Sequence, residues 1–494
     1  MKKIVLIILI FLGTNIFAQN TMTPELLWKI GRVSALGIST NKQFVLYDVG
    51  TPDVSANKIN HQTYKIPLSG GDAVAITKAD SLSLLTNTKI SPDGKYLISS
   101  DKVKVMNVFG TDFYPELKKT TAQIYTSLSY RHWDKYEDGK FGHVFLSDND
   151  SAHSNKIDLM KNEPYDCPLK PFGGAEDYIW NPNGKQVLYV TVKKAGTAYA
   201  LSVNSDLYEY DIASDTTKDL TEDNKGVDFK PAFNSNGALA WVTQKHDGAI
   251  SDKEDIVVWN GITRMNLTAN NDLVNVESFK WNNDGKNIFF IAPVNGTLQL
   301  FEVNYPGNTK MAVVIKQITR GDFDITKIVG QVGNTLIVAR EDMNHASELY
   351  TMNINHGEVL TQLTHVNDAT YKTVGICKTE RKWVTTTDHK KMLVWVIFPP
   401  NFDANKKYPT LLYCQGGPHG ALTQFYSFRW NFQLIASQGY IIVAPSRRGM
   451  PGFGTKWNEQ VSKDWGGQVM KDYLSAIDAV SKDKYVDTSR RGCI

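Results

Sequence analysis

A short phrase returns along the first three quarters of the chain, and its spacing constrains the fold more than any other feature. It runs from an apolar or aromatic residue through two or three small polar residues to glycine, often lysine, and then a short apolar strand. The copies are Ile90-Ser-Pro-Asp-Gly-Lys-Tyr-Leu-Ile98, Trp180-Asn-Pro-Asn-Gly-Lys-Gln-Val-Leu188, Phe233-Asn-Ser-Asn-Gly-Ala-Leu-Ala240 and Trp281-Asn-Asn-Asp-Gly-Lys-Asn-Ile-Phe289. Asp-Gly and Asn-Gly supply the positive-φ residue of a tight hairpin turn, and the residues after it form the return strand. A second phrase follows at a distance: Leu207-Tyr-Glu-Tyr-Asp211 then Leu220-Thr221, Leu300-Phe-Glu-Val303 then Ile318-Thr319, and Leu349-Tyr-Thr-Met352 then Leu363-Thr364. Two phrases in constant order, about fifty residues apart, have the period of propeller blades. Residues 30 to 370 would hold about seven of them; unrelated hairpins in a sandwich would keep no fixed period.

The segment Arg131-His-Trp-Asp-Lys-Tyr-Glu-Asp-Gly139 interrupts the repeat. Its charges and aromatics suit either a solvated loop or a ligand-binding lining at the propeller's mouth. After residue 370 the pattern changes. Leu393-Val-Trp-Val-Ile-Phe398 is a continuous apolar strand, and Tyr408 to Cys414 is another, followed by Gln415-Gly-Gly-Pro-His-Gly420. A helix is expected over 425–437, a strand over 440–444, the loop Ser446-Arg-Arg-Gly-Met-Pro-Gly-Phe-Gly454, and then a helix opened by Gly466-Gly467. That second helix is apolar at Val469, Tyr473, Ala476, Ile477 and Val480, a helical period. Unbroken apolar strands alternating with helices predict a parallel sheet covered on both faces. Glycines in a turn after a buried strand let backbone N–H groups face a ligand. In α/β-hydrolases such a loop supplies one donor of the oxyanion hole.

Taken in order, the propeller, Tyr408-Pro-Thr-Leu-Leu-Tyr-Cys-Gln-Gly-Gly-Pro-His-Gly420, Arg447-Arg-Gly449 and Asp464-Trp-Gly-Gly467 resemble the prolyl oligopeptidase family of serine peptidases. Within it they are most similar to the dipeptidyl-peptidase 5 and acylaminoacyl-peptidase branch. Thr23-Pro-Glu-Leu-Leu-Trp28 and Arg131-His-Trp133 with Asp138-Gly139 carry the same resemblance, which spans nearly the whole chain. It implies a β-propeller over 19–375 joined to the N-terminal part of an α/β-hydrolase domain over 376–494, peptide substrates and no cofactor. The family's nucleophile sits in Gly-x-Ser-x-Gly, after the strand that follows the second hydrolase helix, and Asp and His come later. That strand is expected to begin near Arg490. The resemblance therefore places the whole triad C-terminal to Ile494 and leaves the hydrolase fold incomplete at its C-terminus. Elsewhere only Ser39 has glycine two residues before it, and Asn41 stands where glycine is needed. The complete protein is expected to release dipeptides from free N-termini, and the chain up to Ile494 to be inactive alone. A non-catalytic exported propeller that binds peptides or envelope partners, and an esterase on the same scaffold, are the alternatives.

The resemblance also singles out residues. Gln415 stands where relatives often carry His or Tyr; its amide would either donate to the oxyanion or only shape the loop. The backbone N–H of Gly416 or Gly417 is the preferred donor. Arg447 and Arg448 would either bind a substrate carbonyl or carboxylate, or pin their loop through a salt bridge. Asp464 is expected to cap the helix after Gly467. An aminopeptidase needs a carboxylate for the substrate's terminal ammonium, and Glu137 and Asp138 are the candidates.

Charge and cysteine usage narrow the remaining classes. The formal charge is +3, and without Lys2 and Lys3 it falls to +1, so there is no electrostatic footprint for nucleic acid. Those lysines, the apolar run Ile4 to Phe11 and the small residue Ala18 read as a signal peptide over 1–18. The run is shorter than the ~20 residues of a membrane span. The mature protein is therefore expected in the periplasm, without a membrane span after cleavage near Ala18, and a homo-oligomer is left open. Cys167, Cys377, Cys414 and Cys493 form no CxxC pair and the histidines form no HExxH pattern, so no metal site is expected.

Overall fold

A computed structural model describes residues 20–494, apart from 129–130, 133, 151–155, 250, 308–310, 357–358 and 418 and the side chains at 131–132. The expected signal peptide over 1–18 and Trp133 lie outside the described residues. Antiparallel sheets follow one another along the chain, over 32–76, 96–158, 178–219, 228–266, 278–317 and 324–362. Five have four strands. The second has three, preceded by the single bridge Ile90–Leu97 where its first strand would lie. Besides the small two-stranded pair Arg131–His132 and Lys135–Tyr136, the described residues of this part thus hold six sheets, where the fifty-residue spacing predicts about seven blades. The difference arises at 105–139, which the spacing counts as blade but which forms one long link between the strands Tyr96–Lys104 and Lys140–Asp148.

The turn phrase does what its residues require. Gly94, Gly184, Gly237 and Gly285 all have φ between +66° and +84°; the last three turns join the first strand of their sheet to the second, and Gly94 turns the chain from the Ile90 bridge into the strand Tyr96–Lys104. The Leu-Thr phrase also gains a reason. Thr221, Thr319 and Thr364 follow the fourth strands. Their hydroxyls accept the N–H groups of Leu207, Leu300 and Leu349 at 3.0, 2.9 and 2.8 Å, one rung beyond the backbone ladder.

Apolar clusters join neighbouring sheets from the second to the sixth and the sixth to the first. Ile98 and Leu146 pack on Trp180 and Tyr189, Leu188 on Leu239, Val258 on Phe290, and Phe289 on Val338. The ring closes where Val45 and Tyr47 of the first sheet meet Ile337 and Leu349 of the sixth. First strands of adjacent sheets touch, so they are the inner ones. Lysines of three of them reach across: Lys230 Nζ donates to Glu277 O, Lys280 Nζ to Val329 O, and Lys327 Nζ to Ala35 O at the closure.

Asn367 clasps the same seam. Its Oδ1 accepts from Gly31 N at 2.8 Å, and its Nδ2 donates to Gly31 O at 2.9 Å, both buried. Asn367→Ala leaves that N–H and C=O without partners. The expected loss is about 2 kcal/mol, seen as a lower thermal midpoint and faster proteolysis around 365–375. An unchanged midpoint and cleavage pattern would mean that packing alone holds the seam.

The C-terminal part is a five-stranded sheet, in spatial order Thr379–Thr385, Lys391–Ile397, Ile441–Pro445, Tyr408–Leu412 and Val486–Cys493. The last three pair in parallel, whereas Lys391–Ile397 runs antiparallel to Ile441–Pro445 and forms an antiparallel hairpin with the edge strand Thr379–Thr385. The all-parallel expectation fails there because 386–390 is too short for a crossover and makes a tight turn instead. The final strand begins at Val486, earlier than expected. The helix Gln468–Val480 buries the five apolar residues read from its sequence, and Asp464 Oδ2 accepts from Gln468 N at 2.9 Å, the capping role expected of it. The other helix covers only Phe432–Ser437, because residues 422–428 run instead onto the propeller. The short helix Pro24–Lys29, capped by Thr23, sits between the two parts, where Leu27 and Ile30 pack with Tyr426. Among the described residues no helix is long and apolar enough to cross a membrane, and all four cysteines are free thiols.

Candidate functional site

Two places on the molecule gather the residues that the sequence singles out. The first is the loop after the strand Tyr408–Leu412, at the C-terminal edge of the parallel strands, where open α/β sheets bind ligands. Gln415 O accepts from Arg447 Nη2 at 3.1 Å and from Tyr473 Oη at 2.8 Å. Arg447 is held in turn: Nε donates to Tyr473 Oη at 3.0 Å and Nη1 to Arg448 O at 2.7 Å. A trans peptide points its C=O and the following N–H in opposite directions. Two donors on the Gln415 carbonyl therefore aim Gly416 N–H away from Arg447 and out of the fold. Gly416 is exposed, and a Cβ built there would meet no described atom within 4 Å. Gly417 has φ +141°, with the backbone nitrogens of His419 and Gly420 within 3.3 Å of where its Cβ would stand.

The side chain of Gln415 is spent on the loop itself. Its Nε2 donates to Gly420 O at 3.0 Å and Ala421 O at 3.3 Å. Both neighbours are acceptors, so the amide nitrogen must face them, and the amide oxygen is left buried without a partner among the described residues. An acceptor does not stabilise an oxyanion, so this geometry favours the loop-shaping alternative for Gln415. His419 lies half-buried beside it, and burial together with Arg447 holds its imidazole below the usual pKa.

Arg448 turns the other way. Its Nη2 donates to Asp388 Oδ1 at 2.6 Å, its Nε lies 3.5 Å from Asp472 Oδ2, and its guanidinium rests over the Trp457 ring at 5.0 Å. The Arg448 hydrogen bond pulls the Asp388 carboxyl down to about 2. Burial pushes Asp472 upward despite the same arginine. Both arginines are 2–3% exposed; Arg448 has the carboxylate partners of the salt-bridge alternative, while Arg447 fastens the glycine loop through hydrogen bonds to Tyr473 and backbone carbonyls. Tyr473 was read from the sequence only as part of a buried helical stripe. The one signal of its second role is a hydroxyl on that stripe.

The second place is a cavity of about 380 Å³ in the propeller, lined by Val108, Phe113, Ile124, Leu128, Glu137 and Lys170 among others. Its walls come from the long link 105–139 of sheet two, from 164–170 in the connection between sheets two and three, and from the link 192–199 of sheet three. The equivalent links of the later sheets touch the hydrolase: Ser251 O accepts from Asn458 Nδ2, Gly296 O from Trp395 Nε1, and Met343 N donates to Gln424 Oε1. The cavity therefore lies on the rim of the ring that faces the hydrolase. Glu137 stands in its wall with Lys170 Nζ at 3.3 Å, and Lys170 also reaches Asp166 at 3.1 Å. Asp138 is not part of it and instead accepts from Lys140 N at 3.0 Å.

A ring of antiparallel sheets set against an α/β sheet with a glycine loop at its edge defines the propeller–hydrolase class of protein. A sequence profile described as "Prolyl oligopeptidase family" matches residues 426–494. The chain is 35% identical to dipeptidyl-peptidase 5 of Porphyromonas gingivalis, over 98% of this chain and 75% of that protein. It is 34% identical to dipeptidyl-peptidase 5 of Porphyromonas endodontalis, over 96% and 74%. The solved acylaminoacyl peptidase of Pyrococcus horikoshii superposes with a TM-score of 0.73 at 16% identity, covering 95% of this chain and 74% of that one. The chain belongs to the prolyl oligopeptidase family.

Proposed function

We propose that this chain is the propeller and oxyanion-loop portion of an exported serine peptidase that removes dipeptides from free peptide N-termini. The observation that carries this reading is the Gln415 carbonyl locked by Arg447 and Tyr473, which turns Gly416 N–H into open space. A preset donor of that kind stabilises the negative charge that develops on a carbonyl oxygen during acyl transfer. The serine that attacks, the histidine that takes its proton and the aspartate that orients the histidine are to be supplied by sequence following the strand Val486–Cys493. The names of the similar proteins support dipeptide release. The cavity supports it too, since its size suits a short peptide end and Glu137 can meet an ammonium group. Lys170 competes for that carboxylate.

The test compares the chain ending at Ile494 with a form extended through a Gly-x-Ser-x-Gly segment, both on dipeptidyl amides with free or acetylated N-termini. The shorter chain is expected to be inert and the longer one to hydrolyse only the free-amine substrates. In the longer form Glu137→Gln is expected to raise KM about tenfold, the worth of one charge-assisted contact, with kcat little changed. Turnover by the purified shorter chain, or equal hydrolysis of blocked and free substrates, would overturn the proposal.

A further inference from the structure

Residues 421–426 lead straight on from the glycine loop, and they form no helix. They cross to the propeller, where Leu422, Thr423 and Gln424 are 1–3% exposed. There Tyr426 N donates to Glu341 Oε1 at 2.9 Å, and Gln424 Oε1 accepts from Met343 N at 3.4 Å. Glu341 ends a strand of the sixth sheet. Beside it stands Asp324, fully buried, accepting from Leu298 N at 2.7 Å. The loop is thus tied at two ends by different parts of the molecule. Arg447 and Tyr473 of the hydrolase hold Gln415 O. The Gln415 side chain holds the carbonyls of Gly420 and Ala421, and the propeller acid holds the segment that follows. Gln415 and Glu341 are linked by one short run of chain with a hydrogen bond at each end.

We infer that Glu341 of the propeller is a positioning residue for the glycine loop of the hydrolase, so that the loop takes its shape only when the two parts are docked. This rests on the reading of 415–417 as the oxyanion loop. It gives the propeller a task besides lining the cavity on its rim.

The surroundings of Glu341 make the tie sensitive to pH. Burial and the nearby Asp324 and Asp342 carboxyls push Glu341 up to about 7, and burial pushes Asp324 to about 7 as well. On the sheet side Asp342 is paired with His345, while Arg340 lies over the Phe323 and Tyr350 rings. The groups facing them from the hydrolase are Thr423 and Tyr426, and Tyr371 packs alongside, its hydroxyl accepting from Ala346 N. A carboxyl whose folded pKa is raised supports the docked state fully below its unfolded value near 4.5. That support is lost as pH rises through about 7. Above that pH the ionised Glu341 and Asp324, paired on neighbouring strands of the sixth sheet, repel each other and need water that the docked segment excludes, and the loop should loosen.

Hydrogen exchange on the chain as it stands tests this without any catalysis. In Glu341→Ala the amides of 415–426 are expected to open about tenfold more often, the equivalent of one buried hydrogen bond. Amides of the strand Asn287–Val294 should keep their protection. Glu341→Gln, which can still accept from Tyr426 N, should match the wild type at pH 6 and show less of its loosening between pH 6 and 8. Opening confined to 424–427, with 415–421 unmoved, would overturn the inference, as would equal loss of protection throughout the sixth sheet. Because exchange needs no nucleophile, an inactive extended form would sink the peptidase proposal and leave this coupling standing. In an active form the same Ala variant should lower kcat and leave KM nearly unchanged.

Discussion

Arg448→Met is expected to destabilise the hydrolase part by about 3–5 kcal/mol, the usual consequence of removing one member of a buried ion pair. Asp472 is fully buried, and Arg448 is the cation beside it. Without the guanidinium, Asp472 retains only Arg448 N at 3.1 Å and Gln468 Nε2 at 3.2 Å. Its carboxyl, already raised by burial, would rise further. A raised folded pKa means stability held below the ordinary value near 3.8 and lost as pH climbs through the folded one. The variant should therefore lose more at pH 8 than at pH 5. Urea unfolding followed by the fluorescence of Trp457, which stacks on Arg448, would read both effects. The double variant Arg448→Met with Asp472→Leu should recover much of the loss, since it leaves no lone buried charge. A single-variant loss under about 1 kcal/mol would show that the pair behaves like a surface one.

Trp395→Ala should have a comparable effect on a different property. The indole is fully buried in the strand Lys391–Ile397, and its Nε1 donates to Gly296 O at 3.1 Å, in a turn of the fifth propeller sheet. Arg381 covers its ring at 4.8 Å. Gly296 has φ +75°, and a Cβ there would come within 2.7 Å of Trp395 Nε1, so the two surfaces are fitted to one another. Truncation removes a large buried ring at a cost of about 3–5 kcal/mol and leaves the Gly296 carbonyl unpaired. Calorimetry should then resolve two transitions, propeller and hydrolase unfolding separately. Trp395→Phe, which keeps most of the packing, should remain closer to the wild type. A single unshifted transition in Trp395→Ala would mean that other contacts carry the docking.

Local chemistry was legible in the sequence wherever one residue type had no substitute. Glycine marked four of the hairpin turns because each needs a positive φ. The equivalent turn of the first sheet has Lys42 at φ +59°, with Ser39 N donating to Phe44 O at 2.9 Å; without glycine or Asp-Gly it carried no mark. Thr268 accepts from Ile256 N at 3.0 Å, as its three counterparts do, but Leu267-Thr268 follows a strand too unlike the others to be matched. The site was legible as a loop and not as an assembly. The glycines could be read, but Gln415 meets Tyr473 across 58 positions and Tyr426 meets Glu341 across 85. No local pattern records such pairings. The mixed direction of the hydrolase sheet was misread because burial on both faces, which makes a strand apolar throughout, says nothing about which way it runs.

The ring's construction bears on how the chain can fold. Every sheet is a continuous stretch of sequence, and no strand is lent from one end of the propeller to the other. Contacts between successive sheets span short loops, as with Lys280 and Val329, 49 positions apart. The closing contact of Lys327 with Ala35 spans 292. Loop-closure entropy grows only logarithmically, so that last step costs about 1.6 kcal/mol more than each earlier one. The interfaces from the second sheet to the sixth can therefore form one after another as the polypeptide is made. The closing one waits until the whole arc exists, and until then the face of the first sheet that meets the sixth has nothing to pack against.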